Sequence, residues 1–161
     1  MTTSPDLRFL FRRPAHLLAL GFGSGLSRIA PGTFGTLVAF PLFYGTMAIP
    51  SEWHLPLIAF LFLIGIPICG ATGRALGVED HGGIVWDEIV AMLLVLEYTP
   101  FSWTWWLAAF ALFRFFDILK PFPIRRCERR FKGGFGVMFD DLLAAIYALL
   151  ILHTWLWLTT R

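Results

Sequence analysis

Three long stretches without Asp, Glu, Lys or Arg constrain this chain more than any other feature. The stretches between Arg28 and Glu52 and between Glu52 and Arg74 each enclose more than twenty positions, and a third between Asp141 and Arg161 encloses nineteen. A helix needs roughly 20 apolar residues to cross about 30 Å of hydrocarbon, so each stretch has the length of a membrane span. Composition agrees, with apolar residues at 57% and charged residues at 15% of the 161 positions, outside the balance of an ordinary soluble domain. The expected fold is all-α, a polytopic helical membrane protein with about four to five membrane helices including a helical hairpin.

No Ser/Gly-rich linker, low-complexity tract or internal repeat divides the sequence, so residues 1–161 read as one membrane-embedded domain. Its first fourteen residues form a basic segment carrying Arg8, Arg12 and Arg13. This segment lacks the apolar core and small-residue cleavage site of a secretory signal, and reads as a retained anchor. A glycine-dense stretch, Gly21-Phe22-Gly23-Ser24-Gly25, leads to Ala30-Pro31-Gly32-Thr33-Phe34-Gly35-Thr36 and a first membrane helix running to about Ile49. A second is expected over about Leu55 to Ala71.

The region from Ile89 to Phe113 reads either as one interrupted span or as a hairpin turning at Tyr98-Thr99-Pro100. Lys and Arg tend to stay cytoplasmic, and only the hairpin returns the basic segment Lys120 to Lys132 to the side of the N-terminal arginines. The hairpin also places Trp53, Trp103, Trp105, Trp106, Trp155 and Trp157 together at the outer interface, as an aromatic belt. Its first arm, Ile84 to Tyr98, is short at about 22 Å.

Under this topology Asp80, His81, Asp87, Glu88, Asp117, Asp140 and Asp141 gather at the cytoplasmic face from three separate segments. Ionisable groups at membrane depth are costly unless paired, hydrated or metal-bound, and converging carboxylates supply the oxygen ligands that Mg²⁺ prefers. Asp87-Glu88 and Asp140-Asp141 are each expected at the start of an apolar helix, where the macrodipole tolerates negative charge. Capping therefore explains either pair alone as well as a ligand role does. Asp117 is expected near a helix C-terminus, where the dipole disfavours a carboxylate. Arg114 at i−3 or Lys120 at i+3 could compensate it, and so could a cation shared with the other carboxylates.

The glycine-rich segment could let backbone N–H groups approach a phosphate at a helix start, with Thr33 and Thr36 beside Gly32 and Gly35; small residues for close helix packing account for it equally. Arg125, Arg126, Arg129, Arg130 and Lys132 form a basic cluster that attracts anionic head groups or merely marks the cytoplasmic side. His81 is either a proton carrier or an ordinary loop histidine. Cys69 lies in an apolar run and Cys127 in a basic loop, and the positions where a cysteine-phosphatase loop needs arginine hold Ala75 and Gly133. That chemistry is excluded.

The strings Gly21-Phe22-Gly23-Ser24-Gly25-Leu26-Ser27, Pro31-Gly32-Thr33, Asp80-His81-Gly82, Ile84-Val85-Trp86-Asp87-Glu88, Phe113-Arg114 with Asp117, Lys120-Pro121, Pro123-Ile124-Arg125, and Gly133-Gly134 with Gly136 and Asp140-Asp141 together resemble the phosphatidylglycerophosphatase A enzymes of bacterial membranes. The likeness spans roughly residues 14–150, while Arg28 stands where proline is expected and the outer loops and tail look unrelated. The resemblance implies Mg²⁺-dependent hydrolysis of phosphatidylglycerophosphate to phosphatidylglycerol at the cytoplasmic face of the inner membrane. The family's acidic positions carry over to Asp80, Asp87, Glu88, Asp117, Asp140 and Asp141.

The expected roles follow from that combination. Asp87, Glu88, Asp117, Asp140 and Asp141 would hold one or two Mg²⁺ ions that lower the pKa of an attacking water, with Glu88 alternatively the base. Arg114, Lys120 or Arg125 would offset charge on the phosphoryl oxygens, and Asp80 or His81 would protonate the leaving alkoxide. Gly32, Thr33, Thr36 and Arg125 would bind substrate. An aspartyl-phosphate route is less favoured, since no Asp-x-Asp motif is present. The expected partners are an anionic phospholipid substrate and the membrane, with no nucleic acid. Oligomeric state stays open. The rivals are a small cation or proton transporter subunit using the same carboxylates, and a lipid phosphatase with another head-group preference.

Overall fold

The computed structural model describes residues 5–159. Asp6 caps the first short helix, α1 (Leu7–Arg12), its carboxylate accepting from the Phe9 N–H at 2.7 Å. Pro14 opens α2 (Pro14–Ala19), and residues 1–4 of the expected basic anchor lie outside the described residues. A 3₁₀ segment, Gly21–Leu26, follows. Gly25 is required by proximity, because a side chain there would overlap the Gly83 carbonyl.

Five longer helices make the body: α3 (Pro31–Thr46), α4 (His54–Leu76), α5 (Trp86–Glu97), α6 (Trp103–Leu119) and α8 (Gly133–Thr159). A short basic helix, α7 (Ile124–Arg130), joins the last two. Contacts at the ends give their directions. The start of α3 meets the start of α5 at Gly32 and Glu88, the end of α6 meets the same point through Arg114, and Gly70 late in α4 approaches Gly134 early in α8. At the opposite end His54 bonds Glu97 and the carbonyls of Thr46 and Ile49, while Trp105 packs on Trp155. Chain direction thus alternates through the five helices, and the hairpin turns at residues 98–102 as expected.

Several boundaries differ from the sequence expectation. The first long helix ends at Thr46 rather than near Ile49, and its 16 residues span about 24 Å at 1.5 Å per residue. The first hairpin arm has 12 helical residues, about 18 Å, shorter than expected because the chain before Trp86 turns, the Ile84 N–H donating to the His81 carbonyl at 2.7 Å, and is tied to α2 by the Val85 N–H donating to the Ala19 carbonyl at 2.9 Å. Asp140 and Asp141 do not begin their helix. It starts at Gly133, about two turns earlier, where Gly134 lets it press against the Ile66 carbonyl of α4. Capping therefore does not account for this pair.

Among the described residues two helices have the length and apolar character of a membrane span: Ser51–Leu76, counting its leading 3₁₀ turn, and Gly133–Thr159. Only 28% of the apolar window of the first is buried, so most of that hydrophobic surface faces outward. Leu63, Leu107, Phe115, Ile118, Leu150 and Ile151 are exposed around the same body, more apolar surface than soluble monomers commonly show. The core itself is centred on α5, whose Ile89, Val90, Met92, Leu93, Val95 and Leu96 are almost fully enclosed. Trp106, expected in the interfacial belt, is instead buried among Phe43, Tyr44, Phe101 and Trp103.

Candidate active site

The end of the bundle where α3, α5 and α8 begin and α6 finishes holds a cavity of about 290 Å³. Its walls include Gly32, Asp80, Asp87, Glu88, Arg114, Asp117, Lys120, Asp140 and Asp141. All six carboxylates singled out in the sequence therefore face one space, brought there by three helices and one loop. Asp87, Asp140 and Asp141 are each at least nine-tenths buried.

Arg114 supplies the first countercharge. Its Nη1 donates to Glu88 Oε1 at 2.9 Å and to Asp117 Oδ2 at 2.5 Å, with Thr36 Oγ1 at 3.5 Å behind it. The Asp117 pair is the i−3 contact expected from the helix register. The Glu88 pair crosses the hairpin and was not readable from spacing. Lys120 supplies the second countercharge but does not pair with Asp117. It closes α6 in the left-handed region, φ 44°, which turns its ammonium toward Glu128 at 3.0 Å and Asp140 at 3.3 Å. Burial pulls this amine down, yet the Glu128 hydrogen bond and the charges of Asp140, Glu128 and Asp80 outweigh it and hold the group above its ordinary range. Lys120 is thus a fixed cation at neutral pH.

These two cations do not satisfy the site. Among the described residues Asp87 Oδ1, Glu88 Oε2, Asp140 Oδ1 and Asp141 Oδ2 are buried without hydrogen-bond partners. Buried acceptors facing one another are costly unless a proton or cation intervenes. Free carboxylate oxygens are the donor set of a hard divalent cation, so the residues fit Mg²⁺ chemically. Their arrangement is loose: among the described residues no three acidic, His or Cys side chains surround a single point as a formed metal site.

The other predicted residues are placed less uniformly. Gly32 lines the cavity, but the space beside it is filled by Glu88: a Cβ there would overlap Oε1 and stand 2.9 Å from Cδ and 3.0 Å from Arg114 Nη1. The glycine makes room for a carboxylate. Thr36 is fully buried, donating to the Gly32 carbonyl at 2.8 Å, and Thr33 is partly buried; neither lines the cavity. His81 also stands outside it, its Nδ1 accepting from the Gly83 N–H at 3.0 Å. Arg125 lies on α7, donating to the Leu119 carbonyl at 3.1 Å. Sequence reasoning passed over Glu128, the one acid within the arginine run, which lines a neighbouring 250 Å³ cavity together with Asp80 and Asp140.

The family described as Phosphatidylglycerophosphatase A matches residues 17–156. The chain is 52% identical over 150 residues to a Haemophilus influenzae protein named phosphatidylglycerophosphatase A, covering 92% of each chain. It is 42% identical over 147 residues to an Escherichia coli protein of the same name, covering 91% of this chain and 86% of that one. A Bacteroides thetaiotaomicron protein provisionally named phosphatidylinositol-3-phosphatase is 39% identical over 157 residues, covering 91% of this chain and 98% of its own. No solved structure matches the chain.

Proposed function

The chain belongs to the phosphatidylglycerophosphatase A family, and from that premise we propose that it is a membrane lipid phosphatase. It removes the terminal phosphate of phosphatidylglycerophosphate to leave phosphatidylglycerol. The observation that carries this reading is the single cavity in which six carboxylates meet Arg114 and Lys120, at the same end of the bundle as the basic helix α7. In our reading α3, α4, α5, α6 and α8 all enter the bilayer of the bacterial inner membrane, with the carboxylate end toward the cytoplasm. The arginine-rich segment at that end and the tryptophan-rich opposite end support this orientation.

Asp87, Glu88, Asp117, Asp140 and Asp141 are the residues that would hold Mg²⁺, the unpartnered oxygens on four of them supporting the assignment. When bound, the ion would polarise the phosphoryl oxygens and acidify water. Arg114 and Lys120 orient the phosphate monoester and offset charge on its equatorial oxygens. A carboxylate of the cluster, Glu88 in our assignment, takes the proton of the attacking water. The water oxygen bonds to phosphorus as the bond to the glycerol oxygen breaks, and the departing alkoxide takes up a proton. Asp80 lines the cavity and His81 does not, which supports Asp80 as the group returning that proton.

A transporter needs a polar route to the far end. There Glu97 is bonded to His54 and aromatic rings close the bundle, which favours a hydrolase. The Bacteroides relative's name keeps a second head group in view. Purified chain in neutral detergent is assayed with phosphatidylglycerophosphate, phosphatidic acid and a phosphatidylinositol monophosphate. Mg²⁺-dependent phosphate release that is fastest on the first and lost in Asp87→Asn is expected; no release from it under any metal condition sinks the reading.

A further inference from the structure

A second cavity, about 550 Å³, lies beside the carboxylate site and is lined by Leu119, Lys120, Pro121, Phe122, Arg125, Arg126 and Arg129. Lys120 lines both spaces, so the two adjoin at this residue. No carboxylate lines this second cavity. Glu128, on the same short helix, points the other way to Lys120 and the Asp140 side. The helix is thus divided, with guanidinium groups on one face and its single acid on the other. Arg125 is held against the end of α6 by its bond to the Leu119 carbonyl, whereas Arg126 and Arg129 make no ion pair among the described residues.

The surface leading to these arginines is apolar. Phe115, Ile118, Leu119 and Phe122 are exposed by 55%, 72%, 49% and 72%, and the first three share one face of α6 at helical spacing. An apolar strip ending in arginines matches the boundary between the acyl chains and the phosphate of a phospholipid.

Resting on the reading above, we infer that this groove is a second anion subsite that holds the substrate's phosphodiester while the terminal monoester occupies the carboxylate cavity. The enzyme then recognises its substrate by two phosphates joined through glycerol, with Lys120 between them. A lipid whose only phosphate is the monoester cannot fill both positions. Arginine suits the outer position because its planar fork binds phosphate oxygens in pairs and keeps its charge in an apolar setting.

The test uses the full chain in neutral detergent, where bilayer charge plays no part. Steady-state kinetics of Arg126→Gln/Arg129→Gln are compared with the unsubstituted chain on phosphatidylglycerophosphate and on phosphatidic acid with the same acyl chains. Inhibition is measured with phosphatidylglycerol, which carries the diester alone, and with inorganic phosphate, which carries neither linkage. The expected result is a KM for phosphatidylglycerophosphate and a Ki for phosphatidylglycerol that each rise about tenfold, the loss of one to two charge-assisted hydrogen bonds. kcat, the kinetics on phosphatidic acid and the Ki of inorganic phosphate stay within about twofold on the same scale. Equal losses on every substrate, or an unchanged Ki for phosphatidylglycerol, overturn the subsite. The single variant Arg126→Gln reads the same quantities should the double variant not fold. Failure of the unsubstituted chain to act on phosphatidylglycerophosphate is a separate outcome, which removes the function beneath the inference.

Discussion

Gly32→Ala separates two roles for the glycine at the start of α3. If the glycine admits a phosphate to the backbone, an added methyl acts on substrate alone. If it makes room for Glu88, the methyl acts on the protein first. A Cβ at this position overlaps Glu88 Oε1 and lies 2.9 Å from its Cδ, so the carboxylate oxygen must withdraw by roughly 1.5 Å to restore ordinary contact near 3.5 Å. Its 2.9 Å bond to Arg114 is then lost. A hydrogen bond between charged groups contributes about 1.5–3 kcal/mol, so activity falls roughly 10- to 150-fold. Alanine also favours a helix over glycine by about 1 kcal/mol, which offsets part of the cost to the fold and keeps the loss of thermal stability small. The assay is a double-mutant cycle with Glu88→Asp, whose side chain is one methylene shorter. In that background Gly32→Ala is expected to cost less than about threefold in kcat/KM, a coupling of order 1 kcal/mol. Equal costs in both backgrounds would refute a role in accommodating Glu88.

Arg114→Met leaves Glu88 and Asp117 without their shared cation at a mostly buried position. Breaking such a pair costs about 3–5 kcal/mol, so the unfolding midpoint in detergent drops by roughly 10 °C; a shift below about 2 °C would mean that the ion pairs are dispensable. At the opposite end, His54→Phe removes bonds to Glu97, Thr46 and Ile49 and is expected to cost about 2–3 kcal/mol of stability, with kcat per folded molecule unchanged. A changed kcat would show coupling between the two ends. Gly134→Ala drives a methyl into the Ile66 carbonyl and toward the Gly70 nitrogen. Overpacking of this kind costs about 1–3 kcal/mol or more, so less folded protein should survive detergent extraction and size-exclusion chromatography. Wild-type yield would contradict the close crossing of α4 and α8.

Much of the site was legible because carboxylates beside long apolar stretches are few and expensive. Asp80, Asp87, Glu88, Asp117, Asp140 and Asp141 stood out one by one, and all of them line the same cavity. The Arg114–Asp117 pair was legible from a three-residue spacing on a helix. Glu88–Arg114 was not, since it is made across the hairpin by residues 26 apart. The same spacing offered Lys120 as one alternative partner for Asp117, but its left-handed backbone at the end of α6 sets it against Glu128 and Asp140 instead. His81 and Thr33 share sequence neighbourhoods with cavity residues without sharing the cavity.

The chain's own order of residues determined that long apolar helices would form and that the carboxylates would lie at one end of them. Hydrophobic length and charge cost are properties of local composition, independent of how the helices meet. Only the tertiary structure decided which cation compensates which carboxylate, and that the glycine at position 32 makes space for Glu88. It also decided that Asp140 and Asp141 sit two turns inside α8, beyond the reach of capping. Each of those depends on distances between segments far apart in sequence, set by how closely backbones approach at Gly32 and Gly134.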